Sequence, residues 1–485
     1  MTMNKTIRAF ARSLPFVAGS MIALPSGAQE WSQRYATDAL SYLQRSAGPA
    51  TPSGIALLRG NMPIPGMVET GTRGTPLGWI EQQVLASDAA GGDLYGFRTL
   101  VVGDLAFISA PAPLARQGAV YAYERKGGSW TEVQRLMGTP TDGTPPNWSD
   151  FFGWSISLSA SGQYLAIGAP DVFSPMGGPT GGAYVFERDG SGDWVETQLL
   201  LPPIPVSVSM FGGNVVFSGE TLVVGEGSYN RPVEGGRGAA HVYNLSGGDF
   251  MYSQLVQASD GVPMGDTFFG NALAADTGRV LVGAPGADYS TAAYPVGAAY
   301  VFTNTDGVLS EIQKLEAADG APGDQFGFSI AIDGDHVLVG ASAANIDANT
   351  HQGAAYVFAH DGATFVEAQK LVRADGTAFD QFGQSVALSG GTAVVGMWSY
   401  NDEPGGTPPP PVPGRVGVFT SSGSGWTHRQ DLTGSAGSDG DSFGWHVAVD
   451  GGTVLVGADA DGAIAQYQGS AYFYENDTLF ADGFD

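Results

Sequence analysis

The sequence predicts an all-β protein, a seven-bladed β-propeller of four-stranded antiparallel blades, closed by an N-terminal strand at 78–85 that completes the last blade. Three observations predict it. An aromatic-glycine pair recurs seven times, as Tyr95-Gly96, Phe152-Gly153, Phe211-Gly212, Phe269-Gly270, Phe326-Gly327, Phe382-Gly383 and Phe443-Gly444, at intervals of 57, 59, 58, 57, 56 and 61 residues. A period that regular means one unit stacked seven times. Each unit carries four strand candidates, which is the make-up of a propeller blade. The fourth-strand pattern appears once before the first pair and is missing after Tyr474, so both chain ends fall in one blade and no sheet edge is left open at the closure.

The fifth repeat shows the elements in order. Ser329–Ile332 and His336–Gly340 alternate in hydrophobicity and are joined by Asp333-Gly334, a dipeptide suited to the positive φ angles of a two-residue hairpin. Ser389-Gly390 and Asp450-Gly451 repeat the device in blades 6 and 7. The third strand, Ala354–Phe358, ends in Tyr356 and Phe358, whose period-two spacing puts both rings on one face as core between blades. The same pair recurs as Tyr184 and Phe186, His241 and Tyr243, Tyr300 and Phe302, and Tyr472 and Tyr474; blade 6, with Val416 and Phe419, is the weakest copy. The fourth strand, Phe365–Leu371, carries a glutamine two residues before an aliphatic, found at Gln83, Gln134, Gln198, Gln254, Gln313, Gln369 and Gln430.

Outside the ring the sequence divides into a signal peptide at 1–28, an N-terminal segment and linker at 29–77, the propeller at 78–476 and a C-terminal tail at 477–485. Lys5, Arg8 and Arg12 precede an apolar run from Leu14 to Leu24 and the small residues Ser26-Gly27-Ala28, the order of an export signal. A secreted or cell-surface protein of a Gram-negative bacterium is therefore expected, with no membrane span. With no cysteine in 485 residues, disulfides, thiol catalysis and cysteine metal sites are excluded. The net charge of −27 disfavours nucleic acid and anionic membranes as partners, and removal of 1–28 would make the chain more negative still.

The aromatic-glycine pairs, together with Gly-Ala-Pro at Gly168–Pro170 and Gly283–Pro285, resemble the FG-GAP repeat family, whose best-known members form the seven-bladed propeller of integrin α subunits. The resemblance covers about residues 78–476 and implies the fold far more narrowly than any function. It also implies calcium loops between the first and second strands. Here those positions are turns such as Asp333-Gly334-Asp335, too short to surround an ion that takes six to eight oxygens, so no cofactor is expected and calcium is left open only at Asp459 and Asp461, after a second strand.

Asp93, Asp150, Asp324, Asp380 and Asp441 sit just before the aromatic-glycine pairs, either as an acidic rim or as caps of their own turns; identical placement favours caps. The long connections, from strand 2 to 3 and from 4 to 1, share one face and hold the ligand candidates Trp148, Tyr229, Tyr289, Tyr294, Trp398, Tyr400, Asp402 and Glu403. Histidines are scattered, with no His-Glu-x-x-His and no Gly-x-Ser-x-Gly elbow, so no catalytic constellation stands out. The sequence favours a monomeric, non-catalytic adhesion propeller for an extracellular protein or carbohydrate. A polysaccharide hydrolase or lyase using loop-borne acids, and a structural part of a surface assembly, are the alternatives.

Overall fold

The computed structural model describes residues 79–112, 117–141, 150–173, 179–205, 209–227, 238–260, 267–287, 296–397, 414–422, 425–435, 441–460 and 468–476. These all belong to one compact unit within Asn61–Asp485. Their 28 strands form seven four-stranded sheets, each antiparallel throughout, and the first strands touch in blade order until the seventh returns to the first. The closing blade combines Phe443–Asp450, Thr453–Ala458 and Ser470–Asn476 with Trp79–Val84, which lies inside the expected 78–85 and pairs in register from Trp79 opposite Asn476 to Val84 opposite Ala471. In the fifth blade the strands run Phe326–Asp333, His336–Ala341, Ala354–His360 and Phe365–Leu371, each at its expected place.

Apolar side chains gather into seven layers among the described residues, and each layer draws on two consecutive blades. The aromatic of each pair is buried in such a layer, edge-on to the third-strand rings of its own blade: Phe326 lies 5.5 Å from Tyr356 and 6.0 Å from Phe358, and Phe152 lies 5.2 Å from Tyr184. That edge-to-face geometry suits the ring quadrupoles.

The glycines of the repeat hold the backbones of neighbouring blades together. A Cβ on the Gly-Ala-Pro glycine, or on its blade 7 counterpart Gly457, would meet the carbonyl oxygen of the next blade's aromatic-glycine pair, at 1.9 Å for Gly168 against Gly212, 2.2 Å for Gly283 against Gly327 and 1.9 Å for Gly457 against Gly96. A second glycine, just before each third strand, meets the carbonyl of the next aromatic in the same way, as Gly297 does with Phe326 at 2.1 Å. The glycine of the aromatic pair also needs a positive φ, from +85° at Gly212 to +96° at Gly153, and so does the second glycine in five blades, as at Gly297 with +95°. The residue before each aromatic is left-handed as well, although none is glycine: Leu94, Phe151, Met210, Phe268, Gln325, Gln381 and Ser442 have φ between 52° and 60°. This costs roughly 1 kcal/mol each, and the inter-blade contacts that the turn sets up must hold it.

The fourth-strand glutamines join the outer strands. Gln313 donates from Nε2 to the Phe365 carbonyl at 2.7 Å and accepts the Phe365 N–H at 2.8 Å, so its amide acts as one more peptide unit between blades. Gln134, Gln198, Gln254 and Gln369 do the same to Trp194, Phe250, Leu309 and Trp426. In the closing blade the role falls to Gln82, bonded to Trp130, and not to the expected Gln83, which bonds the Tyr472 hydroxyl. The reason is a β-bulge. The other six fourth strands carry one opposite the third-strand aromatics, while Trp79–Val84 pairs without one and so reaches the same place one residue sooner. Gln430, facing the closing blade, bonds through neither amide atom.

Gln313→Leu should therefore lower stability by about 1–3 kcal/mol, because the Phe365 N–H and carbonyl lose their partner. Gln430→Leu should be neutral or stabilising. Denaturant midpoints of the two variants check the contrast.

Candidate functional site

The two faces of the ring are built differently. Strand 1 turns into strand 2 within Val102–Leu105, Ser218–Thr221, Asp333–His336, Ser389–Thr392 and Asp450–Thr453, and strand 3 into strand 4 is as tight at Lys126–Ser129 and Thr305–Val308. On the opposite face strand 2 reaches strand 3 only across Ala284–Ala298 or Met397–Arg415, and strand 4 reaches the next blade across Leu136–Ser155 or Val256–Ala272. The hairpins that would carry the family's calcium loops bond sideways instead. Asp333 accepts the Gly390 N–H of blade 6, and Asp450 accepts the Gly103 N–H of blade 1, each at 2.7 Å.

Four of the five aspartates before the aromatic-glycine pairs cap their own turns. Asp93, Asp324 and Asp380 each accept the N–H of the residue three positions earlier, at 2.8, 2.8 and 2.7 Å, and Asp150 accepts that of Phe152 at 3.1 Å. All four are buried, which matches the capping reading.

Trp148, Tyr229, Tyr289, Tyr294, Trp398, Tyr400, Asp402, Glu403 and Asp461 lie outside the described residues. Asp459 is described and is buried at the long-connection end of blade 7, at 4 % exposure. Burial pushes its carboxyl up to about 7, and the nearby Ser442 hydroxyl and Arg98 guanidinium offset this only in part. In blade 2 burial and the charge of Asp150 push Asp171 up to about 6, and burial raises Asp150 too. Among the described residues no three His, Cys, Asp or Glu side chains come together as a metal site.

Two groupings escaped the reading of the sequence. At the same end of the ring, the residues following the aromatic-glycine pairs bring Phe97 to 4.7 Å from Trp154 and 6.0 Å from Trp445, with Arg98 stacked 4.9 Å over Phe97. His446 accepts the Thr99 N–H at 3.2 Å through Nδ1, and burial and the Arg98 charge hold it well below the usual histidine range. The signal was present in the residue after each Gly, which reads Phe, Trp, Gly, Asn, Phe, Gln and Trp around the ring. The second grouping is a buried pair in blade 3, His241 Nε2 to Glu226 at 2.7 Å, with exposures of 2 % and 0 %. Glu226 stands where blades 1, 2, 4, 5 and 7 have alanine, and His241 where those blades have tyrosine.

No helix of the described residues is long and apolar enough to cross a membrane. The FG-GAP repeat family profile matches residues 309–358, 365–408 and 426–474. No curated protein matches the chain in sequence. Among solved structures, Sqt1 of Saccharomyces cerevisiae is similar at 12% identity, with 76% of this chain and 82% of that one covered and a TM-score of 0.42. A protein from Lactobacillus plantarum is similar at 15% identity, with 71% and 85% covered and a TM-score of 0.43. With the profile on three stretches and its glycines at every seam, the chain carries FG-GAP repeats, built into a seven-bladed β-propeller that fits the integrin-α-like ring.

Proposed function

We propose that the protein is an exported, non-catalytic recognition propeller that binds an extracellular protein or a glycan through the face of its long connections. The observation that carries this reading is the asymmetry of the ring: one face is cut back to tight hairpins, and the other gathers every long connection between described strands. Variable loops on a rigid scaffold are where recognition resides. The net charge of −27 favours neutral or cationic ligands over anionic ones. Export rests on the basic-apolar-small order of the N-terminus.

One observation favours the hydrolytic alternative. Asp150 and Asp171 interact at the long-connection end of blade 2, and both have raised proton affinity, as an acid-base pair requires. The test is a screen of the full chain against glycans and purified surface proteins, with calcium and with chelator, alongside turnover assays on polysaccharides and esters. Saturable binding without turnover is expected. Turnover abolished by Asp171→Asn would replace this reading with the hydrolytic one.

A further inference from the structure

Charged side chains tie the blades together along the outer rim, where two residues following one fourth strand meet two residues of the next. Between blades 3 and 4 Glu311 accepts the Ser259 N–H at 3.0 Å, and Lys314 meets Asp260 at 2.9 Å. Ala318 and Asp319 stand to Glu367 and Lys370 in the same way between blades 4 and 5, as do Ser87 and Asp88 to Glu132 and Arg135 between blades 7 and 1. Seams 1–2, 5–6 and 6–7 keep part of the device, through Glu196, Asp431 and Glu81. Between blades 2 and 3 all four positions differ, reading Pro203, Ile204, Tyr252 and Leu255.

The strands around these positions keep the sister arrangement. The Leu201 carbonyl accepts the Tyr243 hydroxyl at 3.4 Å, the Tyr252 ring lies 5.7 Å from that of Tyr243 and 6.0 Å from that of His241, and Leu255 pairs with His241. Apolar side chains that merely replaced ions as packing within the seam would be buried. Instead Ile204 is 64% exposed, Tyr252 44% and Leu255 37%, and Met251 at 56% and Leu245 at 36% extend the patch along the outer hairpin of blade 3. Together they open on the order of 500 Å² of apolar rim, near the most that a monomer ordinarily leaves uncovered. The sector is also empty of charge. No residue from Thr197 to Gly219 or from Phe250 to Ser259 is charged. The other six fourth strands each carry a charge in their interior, a guard against edge contacts, whereas Asp249–Val256 has its only one at the first position.

We propose that this neutral rim of blade 3 is a self-association surface, through which two copies of the chain pair about a two-fold axis. Charge selects a second copy as the occupant. Two chains at −27 repel wherever their acidic surfaces meet, and the uncharged rim lets them touch without that cost. A basic partner would find its attraction elsewhere on the chain. The two-fold axis matches the patch to itself. With the strands antiparallel across the axis, the two Asp249 residues lie roughly 20 Å apart, beyond the Debye length at physiological salt. Sharing the patch buries about 1,000 Å² in all, which is where specific interfaces begin. The contact is one of side chains and not of an added strand, because Gln198 already takes the Phe250 N–H and carbonyl at 2.8 and 3.1 Å.

Sedimentation velocity of the full chain from about 1 to 100 μM, in about 0.15 M and about 0.5 M sodium chloride, tests the pairing. The weight-average mass should rise with concentration from 50.1 kDa toward twice that value. Higher salt should favour the dimer by screening the repulsion, the reverse of an interface held by ions. Ile204→Asp with Leu255→Lys gives this seam the ion pair of its sisters, so the variant should keep the parent melting temperature and associate about tenfold or more weakly. Met251→Lys, outside those four positions, should weaken association as well. Val366→Lys, on the outer strand of blade 5, should leave it unchanged. A chain that stays at 50.1 kDa at every concentration and both salts would overturn the proposal and leave the rim to a different protein. A dimer that survives both rim variants, or that is lost equally with Val366→Lys, would overturn it too.

Discussion

Gly168→Ala should lower stability by about 3 kcal/mol or more and leave little folded protein at ambient temperature. The new Cβ would sit 1.9 Å from the Gly212 carbonyl oxygen and 2.2 Å from the Ser155 hydroxyl. The first of these is backbone of the next blade, and it is fixed by its own turn and by the layer containing Phe211. Relief would require moving one blade against another. Gly334→Ala is the matched control, because its φ of +54° is left-handed but nothing lies within 4 Å of the added carbon. Its cost should be about 1 kcal/mol, the strain of a left-handed alanine alone. Urea unfolding of both variants separates close approach from backbone conformation as the reason for glycine in this motif.

His241→Tyr should be nearly as damaging as the seam glycine, at about 3–5 kcal/mol, even though it restores the residue that the other blades carry. The change removes the His241 hydrogen bond from the fully buried Glu226, and a buried carboxyl group that loses a hydrogen bond keeps its desolvation penalty. Glu226→Ala combined with His241→Tyr should recover most or all of the loss, since it recreates the alanine-tyrosine combination of blades 1, 2, 4, 5 and 7. Exchanging a buried polar pair for well-packed apolar side chains is often neutral or stabilising. A double-mutant cycle reads the coupling directly. Additive effects would mean that the two departures are independent.

The ring was legible in the sequence because it rests on periodicity. Spacing placed the blades, alternation placed the strands, and the early fourth strand revealed the closure through Trp79–Val84. Features that depend on a neighbouring blade were not legible. The Gly-Ala-Pro glycine reads as a corner needing a free backbone, yet its requirement is steric and set by a carbonyl of the next blade, from Gly168 to Gly212 and from Gly283 to Gly327. Gln82 replaces Gln83 because a bulge is missing, and a one-residue bulge leaves no mark in a pattern of period two. His241 was legible as a core position. Its partner was hidden because Glu226 looks, taken alone, like ordinary degeneration of Gly-Ala-Pro. At the end of the long connections the sequence named loop residues that lie outside the described ones, while the structure adds the aromatic group of Phe97, Trp154 and Trp445, which follow the aromatic-glycine pairs.

The measurement that bears most directly on recognition through one face compares two variants of the full chain against whichever glycan or surface protein the screen returns. Trp398→Ala with Tyr400→Ala alters the long connection between Met397 and Arg415, and Asp335→Asn alters the tight turn between Asp333 and His336 on the opposite face. Affinity should fall by about tenfold or more in the first variant, as loss of aromatic anchors does, and stay unchanged in the second. Full affinity in the first with loss in the second would contradict the account.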